Sequence, residues 1–210
     1  AAASAGADAI GMIFCDSPRK ITPEQGRSIV EALPPLVAAV GVFVDERPET
    51  VIDVARRVGL TAVQLHGDEA PETVAAVAGE VKVIKAIRVR GPQSFAGLDR
   101  YDAASAFLFD AYVKGARGGT GHRFNWDLLA GGGRAHRLRK PWILAGGLTP
   151  ENVEEAISLC RPYGVDASSG VERGPGIKDV AKVEEFIARV RRSDYGEAGT
   201  LRPVRGNVCS

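Results

Sequence analysis

A proline–glutamate pair recurs at the start of several amphipathic segments, and this repeat constrains the fold more than any other sequence feature. The pairs are Pro23-Glu24, Pro48-Glu49, Pro71-Glu72 and Pro150-Glu151. Proline suits the first turn of a helix because its missing N–H would have no partner there, and glutamate suits the positive end of the helix dipole. Each pair therefore predicts the start of a helix.

Two of these helix starts carry an additional capping signal. Thr22 is a predicted N-cap, with Gln25 three residues further on. Thr149 is the second predicted N-cap, followed in the same way by Asn152. A hydroxyl at this position accepts a hydrogen bond from a backbone N–H of the first turn, and a polar side chain three residues later can return one.

The spacing of the pairs indicates a repeated unit. The first three follow one another at intervals of about 25 residues, and three such units fit into the gap before the last. We therefore predict further helices near residues 92–103 and 125–139. Between the helices lie short, continuous apolar runs, which are typical of parallel strands buried on both faces. These runs cover residues 8–15, 36–44, 62–67, 81–89, 106–113, 142–147 and 165–171.

Alternating strands and helices predict an α/β fold, either a (β/α)8 TIM barrel or a doubly wound sheet. Only seven strands are visible, and residues 1–7 are predicted to be the end of a helix that precedes the first of them. A closed barrel of eight strands needs one more, because a gap leaves unpaired edges. We expect one barrel domain over residues 1–192 and a C-terminal tail over 193–210 that is disordered or fills the missing position.

Composition excludes several classes of protein. The formal net charge is +1, so no strong field attracts nucleic acid or a membrane surface, and an anionic ligand needs a local site. No apolar run approaches the ~18 residues of a membrane span. The three cysteines show no C-x-x-C spacing, which favours reduced thiols in a cytoplasmic protein.

Reactive groups of a TIM barrel lie where strands end and in the loops that follow. Asp110 ends a strongly apolar strand, which is costly unless the carboxylate is functional or paired. It is a candidate general acid, or alternatively the partner of a loop lysine or arginine. Arg19 follows the first visible strand, without an evident acidic partner nearby in the sequence, and suits a substrate carboxylate. The alternative for Arg19 is a solvated basic turn.

Two further strand ends carry polar side chains. Gln64 and His66 end the third run, where the histidine can position a ligand or simply form a hydrogen-bonded part of the rim. Four of the ten residues 114–123 are glycines, a composition that suits a lid over a site or a loop without a role. Residues 173–179 are interpreted as a structural turn.

The last two visible strands end in turns suited to phosphate. Glycine lets the backbone approach an anion closely, and barrels often bind phosphate in the loops after strands seven and eight. Counting the missing strand first gives the two turns those positions. The predicted phosphate-binding residues are Gly146, Gly147, Asp166, Ser168, Ser169 and Gly170.

Taken in order, these segments resemble the phosphoribosylanthranilate isomerase family of tryptophan biosynthesis. The matching segments include Ser17-Pro18-Arg19, Gln64-Leu65-His66-Gly67, Phe109-Asp110, Gly118-Gly119-Thr120-Gly121, Ala145-Gly146-Gly147 and Asp166-Ala167-Ser168-Ser169-Gly170. The resemblance implies a (β/α)8 barrel that carries out an Amadori rearrangement of N-(5-phosphoribosyl)anthranilate. It implies a small phosphosugar substrate, no metal or cofactor, and a monomer or homodimer.

The resemblance also implies residue roles. The aspartate matching Asp110 protonates the ribose ring oxygen, and the arginine matching Arg19 faces the anthranilate carboxylate. The family's general base is a cysteine at the end of the first strand, in a Lys-(Val/Ile)-Cys-Gly context. No such segment precedes Ala1, and Cys15 follows the second strand in the family's order.

Three explanations of that gap are open: a truncated chain, a degenerate gene product, or replacement of the strand from the other end. The tail ends Asn207-Val208-Cys209-Ser210, which is faintly similar to the family's first strand. Cys209 is therefore a candidate base. The alternatives to the isomerase are a related aminoaldose-phosphate isomerase of histidine biosynthesis and an inactive phosphate-binding barrel.

Overall fold

The computed structural model describes residues 1–110, 126–130, 138–195 and 207–209, and all statements below refer to these residues. The strands are β1 (Ala9–Ile13), β2 (Ala38–Phe43), β3 (Ala62–Leu65), β4 (Lys82–Arg88), β5 (Ala106–Asp110), β6 (Trp142–Ala145), β7 (Gly164–Ala167), β8 (Glu172–Gly174), β9 (Ile177–Lys178) and β10 (Asn207–Cys209). The helices are α1 (Ala2–Ala5), α2 (Pro23–Ala32), α3 (Pro48–Val58), α4 (Pro71–Ala78), α5 (Val153–Cys160) and α6 (Val180–Tyr195).

Eight parallel strands form a closed barrel in the order β1-β10-β7-β6-β5-β4-β3-β2. The predicted TIM barrel is therefore confirmed. Seven of its strands are the predicted apolar runs, and the eighth is β10 from the C-terminal tail. Closure leaves no unpaired strand edge, which is why an eighth strand matters for this fold.

β10 lies between the first and the last of the other strands and is parallel to both. On one side, Val208 pairs with Ala9 and Cys209 with Ile10. On the other side, Cys209 pairs with Ala167, the last residue of β7. The backbone of Cys209 thus ends its strand beside the start of the turn at residues 168–170.

Hydrophobic packing separates the barrel interior from the helical layer. Small and medium side chains contributed by strands alone form the interior cluster: Ala9, Val40, Ala86, Leu108, Ile143 and Ala145. Two larger clusters lie between the strands and the helices, and one of them includes Phe107 and Phe109 of β5 as well as Phe186 and Ile187 of α6. Alternate residues of each strand face the two sides, so polar residues on the interior face reach the rim of the barrel.

The proline–glutamate signal is confirmed at three of its four positions. Helices begin at Pro23, Pro48 and Pro71, and Thr22 forms a complete capping box with Gln25. The prediction of Thr149 as an N-cap was wrong, because α5 begins three residues later, after Asn152. The Asn152 side chain instead accepts a hydrogen bond from the Thr149 N–H at 2.9 Å.

The prediction of a helix near residues 92–103 was also wrong. Two short 3₁₀ turns, Pro92–Phe95 and Leu98–Tyr101, replace it. Gly97 between them has φ 72°, a left-handed conformation that ends any continuous helix. Of the helix predicted near 125–139, the described residues contain one 3₁₀ turn, Trp126–Leu128. No helix in the described part of the chain is long and apolar enough to cross a membrane.

Candidate active site

The carboxyl ends of β3 and β5 bring Asp110, His66 and Gln64 together. His66 Nε2 lies 3.1 Å from Asp110 Oδ2. Its other ring nitrogen, Nδ1, lies 2.7 Å from Gln64 Nε2. The Gln64 amide nitrogen donates towards Nδ1, and Nε2 is the ring nitrogen that faces Asp110. Gln64, which is 3% exposed, therefore orients His66, and His66 orients Asp110.

These contacts bear on the open alternatives for two residues. Asp110 is paired with His66, and the loop lysine and arginines considered as alternative partners lie outside the described residues. Its side chain remains 20% exposed, so it is accessible at the rim. His66 is a hydrogen-bonded rim histidine whose Nε2 faces Asp110.

A buried ion pair holds the turn that carries His66. Lys85 Nζ donates to Glu69 Oε2 at 2.9 Å, and both side chains are 2% exposed. The same ammonium donates to the carbonyls of Leu65 and Gly67, at 3.2 and 2.9 Å, on either side of His66. Glu69 Oε1 accepts from the backbone N–H of Gly67 at 2.9 Å. The buried side chains of Lys85 and Glu69 therefore hold the backbone on both sides of His66 in place.

The charge of Glu69 is stabilised by its surroundings. Burial, the largest influence, favours the neutral carboxyl, but the hydrogen bond and charge of Lys85 and two backbone N–H donors outweigh it. The pKa of Glu69 is therefore lowered from its ordinary value. The pair was not predicted from the sequence, although a lysine within the apolar run 81–89 is a usable signal, since lysine is almost never buried unless paired.

Arg19 has a partner that the sequence analysis missed. Its Nε lies 2.9 and 3.1 Å from the two carboxylate oxygens of Glu172, and its Nη2 lies 2.6 Å from Oε2. No acidic partner was evident nearby in the sequence, because Arg19 and Glu172 are far apart in the chain and meet in the loops that follow β1 and β7. Hydrogen bonding with Glu172 raises the pKa of Arg19, and the same contacts, with Lys178, lower the pKa of Glu172.

The two glycine turns meet each other after β6 and β7. Gly146 and Gly147 have φ of 92° and 67°, conformations that side-chain-bearing residues rarely adopt. A Cβ on Gly147 would meet nothing within 4 Å, so its backbone borders open space. A Cβ on Gly170 would lie 1.9 Å from the Leu148 carbonyl oxygen, so only glycine permits this approach of the two turns.

The remaining predicted phosphate residues belong to β7 and the turn that follows it. Asp166 is 7% exposed within β7, and its backbone pairs with that of Val208. Ser168 precedes a 3₁₀ turn, Ser169–Val171. Residues 173–179, interpreted as a simple turn, are more than that: Glu172–Gly174 and Ile177–Lys178 form an antiparallel hairpin. From this hairpin Lys178 Nζ donates to the Ser168 carbonyl at 3.2 Å.

A second arginine on the rim was not predicted. Arg88 is the last residue of β4 and pairs in register with Asp110 of β5. Its guanidinium forms an ion pair with Asp68, which lies two residues after His66 in the chain. Both residues line a cleft of about 300 Å³ together with Arg90 and Ser94. The signal for Arg88 was its position as a charged residue that ends a strand.

The predicted lid at residues 114–123 lies outside the described residues. The side chain of Cys209 is likewise outside the description, which covers only the backbone pairing of β10. Asp110, His66, Arg19 and both glycine turns lie on loops or strand ends at the carboxyl side of the barrel. This is where barrel enzymes that act on phosphorylated small molecules carry their reactive groups, and the fold and rim define a protein of that class.

Comparison with known proteins identifies the family within this class. A sequence model of N-(5′-phosphoribosyl)anthranilate isomerase matches residues 1–189. The chain belongs to the N-(5′-phosphoribosyl)anthranilate isomerase family, as the resemblance of its motifs predicted.

Individual relatives cover most of the chain. The isomerase of Geobacter sulfurreducens is 51% identical over 191 residues, which are 90% of this chain and 91% of the relative. That of Pelobacter propionicus is 48% identical over 196 residues, 92% and 90% of the two chains.

Solved structures agree with the sequence relatives. The Thermotoga maritima phosphoribosyl anthranilate isomerase has a TM-score of 0.81 at 42% identity and covers 90% of this chain and 91% of its own. A phosphoribosyl anthranilate isomerase in complex with reduced 1-(o-carboxyphenylamino)-1-deoxyribulose 5-phosphate has a TM-score of 0.78 at 40% identity, with 90% of each chain covered.

Proposed function

We propose that this chain is an isomerase that converts N-(5′-phosphoribosyl)anthranilate to 1-(2-carboxyphenylamino)-1-deoxyribulose 5-phosphate in tryptophan biosynthesis. The observation that carries the proposal is the carboxylate of Asp110, oriented by His66 at 3.1 Å on the same rim as the two glycine turns. Family membership supports the identity of the substrate. The reaction is an internal oxidation–reduction of the sugar, in which C1 is reduced and C2 is oxidised.

Asp110 is the general acid in this proposal. It donates its proton to the ribose ring oxygen, the C1–O bond breaks, and the nitrogen lone pair forms a C1=N iminium. A base then removes the proton from C2, and the electron pair moves through C1 to nitrogen to give an enol-amine. The enol-amine gains a proton at C1 and loses the proton on O2, which yields the ketose. The Gln64–His66 pair holds the Asp110 carboxyl in one orientation for the first of these steps.

Cys209 is the proposed base. The pairing of its backbone with Ala167 puts it at the end of β10, next to the turn of residues 168–170, and this supports the role. In the family's strand order β10 also corresponds to the first strand, which carries the family's cysteine. In this proposal the C-terminal tail contributes both a barrel strand and the general base.

The two ends of the substrate are assigned to the two sides of the rim. Arg19 binds the anthranilate carboxylate, because a guanidinium offers paired donors that match a carboxylate. The phosphate lies at the turns of Gly146-Gly147 and Ser168-Ser169-Gly170, with Asp166 beneath the second turn. Open space beside Gly147 supports this assignment. The chain is proposed to act in the cytoplasm on this small phosphosugar, as a monomer or as a homodimer.

The proposal is tested by measuring ketose formation by the purified chain from two substrates. One is N-(5′-phosphoribosyl)anthranilate, and the other is the related aminoaldose phosphate of histidine biosynthesis. We expect turnover of the first and at least a hundredfold lower kcat/KM for the second, since only the first has a carboxylate for Arg19. Equal or greater turnover of the second substrate, or tight binding of the first without turnover, would contradict the proposed function.

The role of Cys209 has its own test with a matched control. Cys209→Ser is expected to lower kcat by about 10²- to 10⁴-fold, the usual contribution of a positioned acid or base. Cys15→Ser, at a half-buried cysteine after β1, is expected to leave kcat unchanged. Full activity of the Cys209 variant would remove this residue from the mechanism while leaving the substrate assignment intact.

A further inference from the structure

Glu172 contacts Arg19 in a geometry that leaves part of the guanidinium available. A guanidinium presents five N–H donors, and two different edges of it can each bind a carboxylate through paired bonds. Glu172 occupies the edge formed by Nε and Nη2, with distances of 2.9, 3.1 and 2.6 Å. Arg19 Nη1 makes no hydrogen bond to any residue that the structure describes. The edge formed by Nη1 and the second N–H of Nη2 therefore remains for another acceptor.

Burial of the two partners is unequal. The Glu172 side chain is 4% exposed, whereas that of Arg19 is 25% exposed. The carboxylate lies beneath, and the arginine is the partner that reaches the solvent side of the rim. A buried carboxylate with fixed neighbours restricts the many rotamers of an arginine side chain before a ligand binds, which lowers the entropic cost of binding.

Glu172 is also connected to the turn assigned to phosphate. Lys178 Nζ lies 3.4 Å from Glu172 Oε1 and donates to the Ser168 carbonyl at 3.2 Å. Arg19, Glu172, Lys178 and the backbone of Ser168 thus form one continuous set of polar contacts. This set joins the loop after β1 to the turn after β7, the two places assigned to the anionic ends of the substrate.

We propose that Glu172 is a positioning residue that determines specificity for substrates with an aromatic carboxylate. It holds Arg19 so that the Nη1–Nη2 edge receives the carboxylate, and Lys178 fixes the distance between that edge and the phosphate turn. The inference rests on the proposed function, because it assumes that Arg19 binds the anthranilate carboxylate. Glu172 itself does not touch the substrate.

A purely structural ion pair makes a different prediction, and ligand chemistry separates the two. The probes are reduced 1-(o-carboxyphenylamino)-1-deoxyribulose 5-phosphate and its counterpart that lacks the carboxylate, and the readout is the Kd of each by calorimetry. We expect Glu172→Gln to raise the Kd of the carboxylated ligand roughly tenfold, which corresponds to the cost of ordering a long side chain on binding. The same variant should bind the ligand without a carboxylate within about twofold of the wild type. A general distortion of the rim would raise the Kd of both ligands equally, and that result would overturn the proposal.

A double-mutant cycle and a surface control complete the design. In an Arg19→Met background, Glu172→Gln should have no further effect on either ligand, because the side chain it positions is gone. Glu31→Gln, which removes an exposed pair with Arg27, is expected to change neither Kd. Additive effects of Arg19→Met and Glu172→Gln would contradict the proposed route through Arg19.

A second variant, which keeps Glu172, tests the proposal even if Glu172→Gln does not fold. Arg19→Lys retains the charge but has no second edge, so it should also lose the preference for the carboxylated ligand. A preserved preference in Arg19→Lys would overturn the proposal. Because these are binding measurements, they separate this inference from the isomerase proposal, which is tested by the turnover of the two substrates by the wild type.

Discussion

Two ion pairs flank the candidate site, and they differ in what surrounds them. The Lys85–Glu69 pair is buried, with both side chains 2% exposed. Arg19–Glu172 lies at the rim with the arginine 25% exposed and one edge of its guanidinium available. In the first pair the charged groups form hydrogen bonds with other protein atoms. In the second pair the Nη1–Nη2 edge of Arg19 remains available to a ligand.

The difference indicates what each pair contributes. A buried pair whose partner is removed leaves an uncompensated charge, which is strongly destabilising. At the rim, loss of Glu172 costs less, because the Arg19 side chain that remains is 25% exposed to solvent. We therefore expect changes in Lys85–Glu69 to alter the free energy of unfolding and changes in Arg19–Glu172 to alter ligand selectivity.

The largest expected effect follows from Lys85→Met. The change leaves the Glu69 carboxylate buried without its cation and removes the donor to two carbonyls beside His66. We expect the free energy of unfolding to fall by about 3–5 kcal/mol, measured by urea denaturation at pH 7. Lys82→Met, an exposed position on the same strand, should change it by less than about 0.5 kcal/mol. Similar small losses in both variants would show that the buried pair is not a stability element.

A smaller effect is expected where the two glycine turns touch. Gly170→Ala inserts a Cβ against the Leu148 carbonyl, which forces the turns apart. We expect a loss of about 1–3 kcal/mol in the free energy of unfolding, together with weaker binding of inorganic phosphate. Gly174→Ala is the matched control, since its Cβ would meet nothing within 4 Å. If Gly170→Ala unfolds and binds like Gly174→Ala, the contact between the turns has no role.

The pH dependence of stability gives the smallest effects, and it has the same sign for the acidic residues of both pairs. The pKa of Glu69 and that of Glu172 are lowered in the folded state, so their stabilisation is complete above the unfolded pKa, near 4.3, and is lost as pH falls through the folded pKa. Removing Glu172 with Glu172→Gln should therefore flatten the acid limb of the stability curve.

In Lys85→Met the contribution of Glu69 to stability should reverse its dependence on pH. Without Lys85, burial dominates at Glu69 and favours the neutral carboxyl, so its folded pKa lies above the unfolded value. The destabilisation by Lys85→Met should then shrink as pH falls from 7 towards 4, which urea titrations at several pH values would measure. A destabilisation that is constant or grows in acid would contradict the assignment of a charged, buried Glu69.

Local signals in the sequence predicted most of the architecture. Helix starts at Pro23, Pro48 and Pro71 were recognisable because the signal and the structure lie within one turn. Spacing alone failed at residues 92–103, where Gly97 interrupts the chain and only 3₁₀ turns form. At Thr149 the signal was present, but the Asn152 side chain bonds to the Thr149 N–H and the helix begins later.

The site was predictable only where residues end strands. Asp110, His66 and Arg19 were identified from that position, and Arg88 could have been. The partners that orient them were not, because Glu172 meets Arg19 across the barrel and no local pattern connects them. Strand β10 was one of two alternatives predicted for the tail, since its three residues carry little signal of their own.

Substitution of Asp110 tests the central claim, that an acid oriented by His66 drives the isomerisation. In a steady-state assay of ketose formation from N-(5′-phosphoribosyl)anthranilate, Asp110→Asn should lower kcat by about 10²- to 10⁴-fold. KM and the unfolding midpoint should stay close to those of the wild type and of the exposed control Asp99→Asn. A kcat for Asp110→Asn within threefold of the wild type would contradict the account.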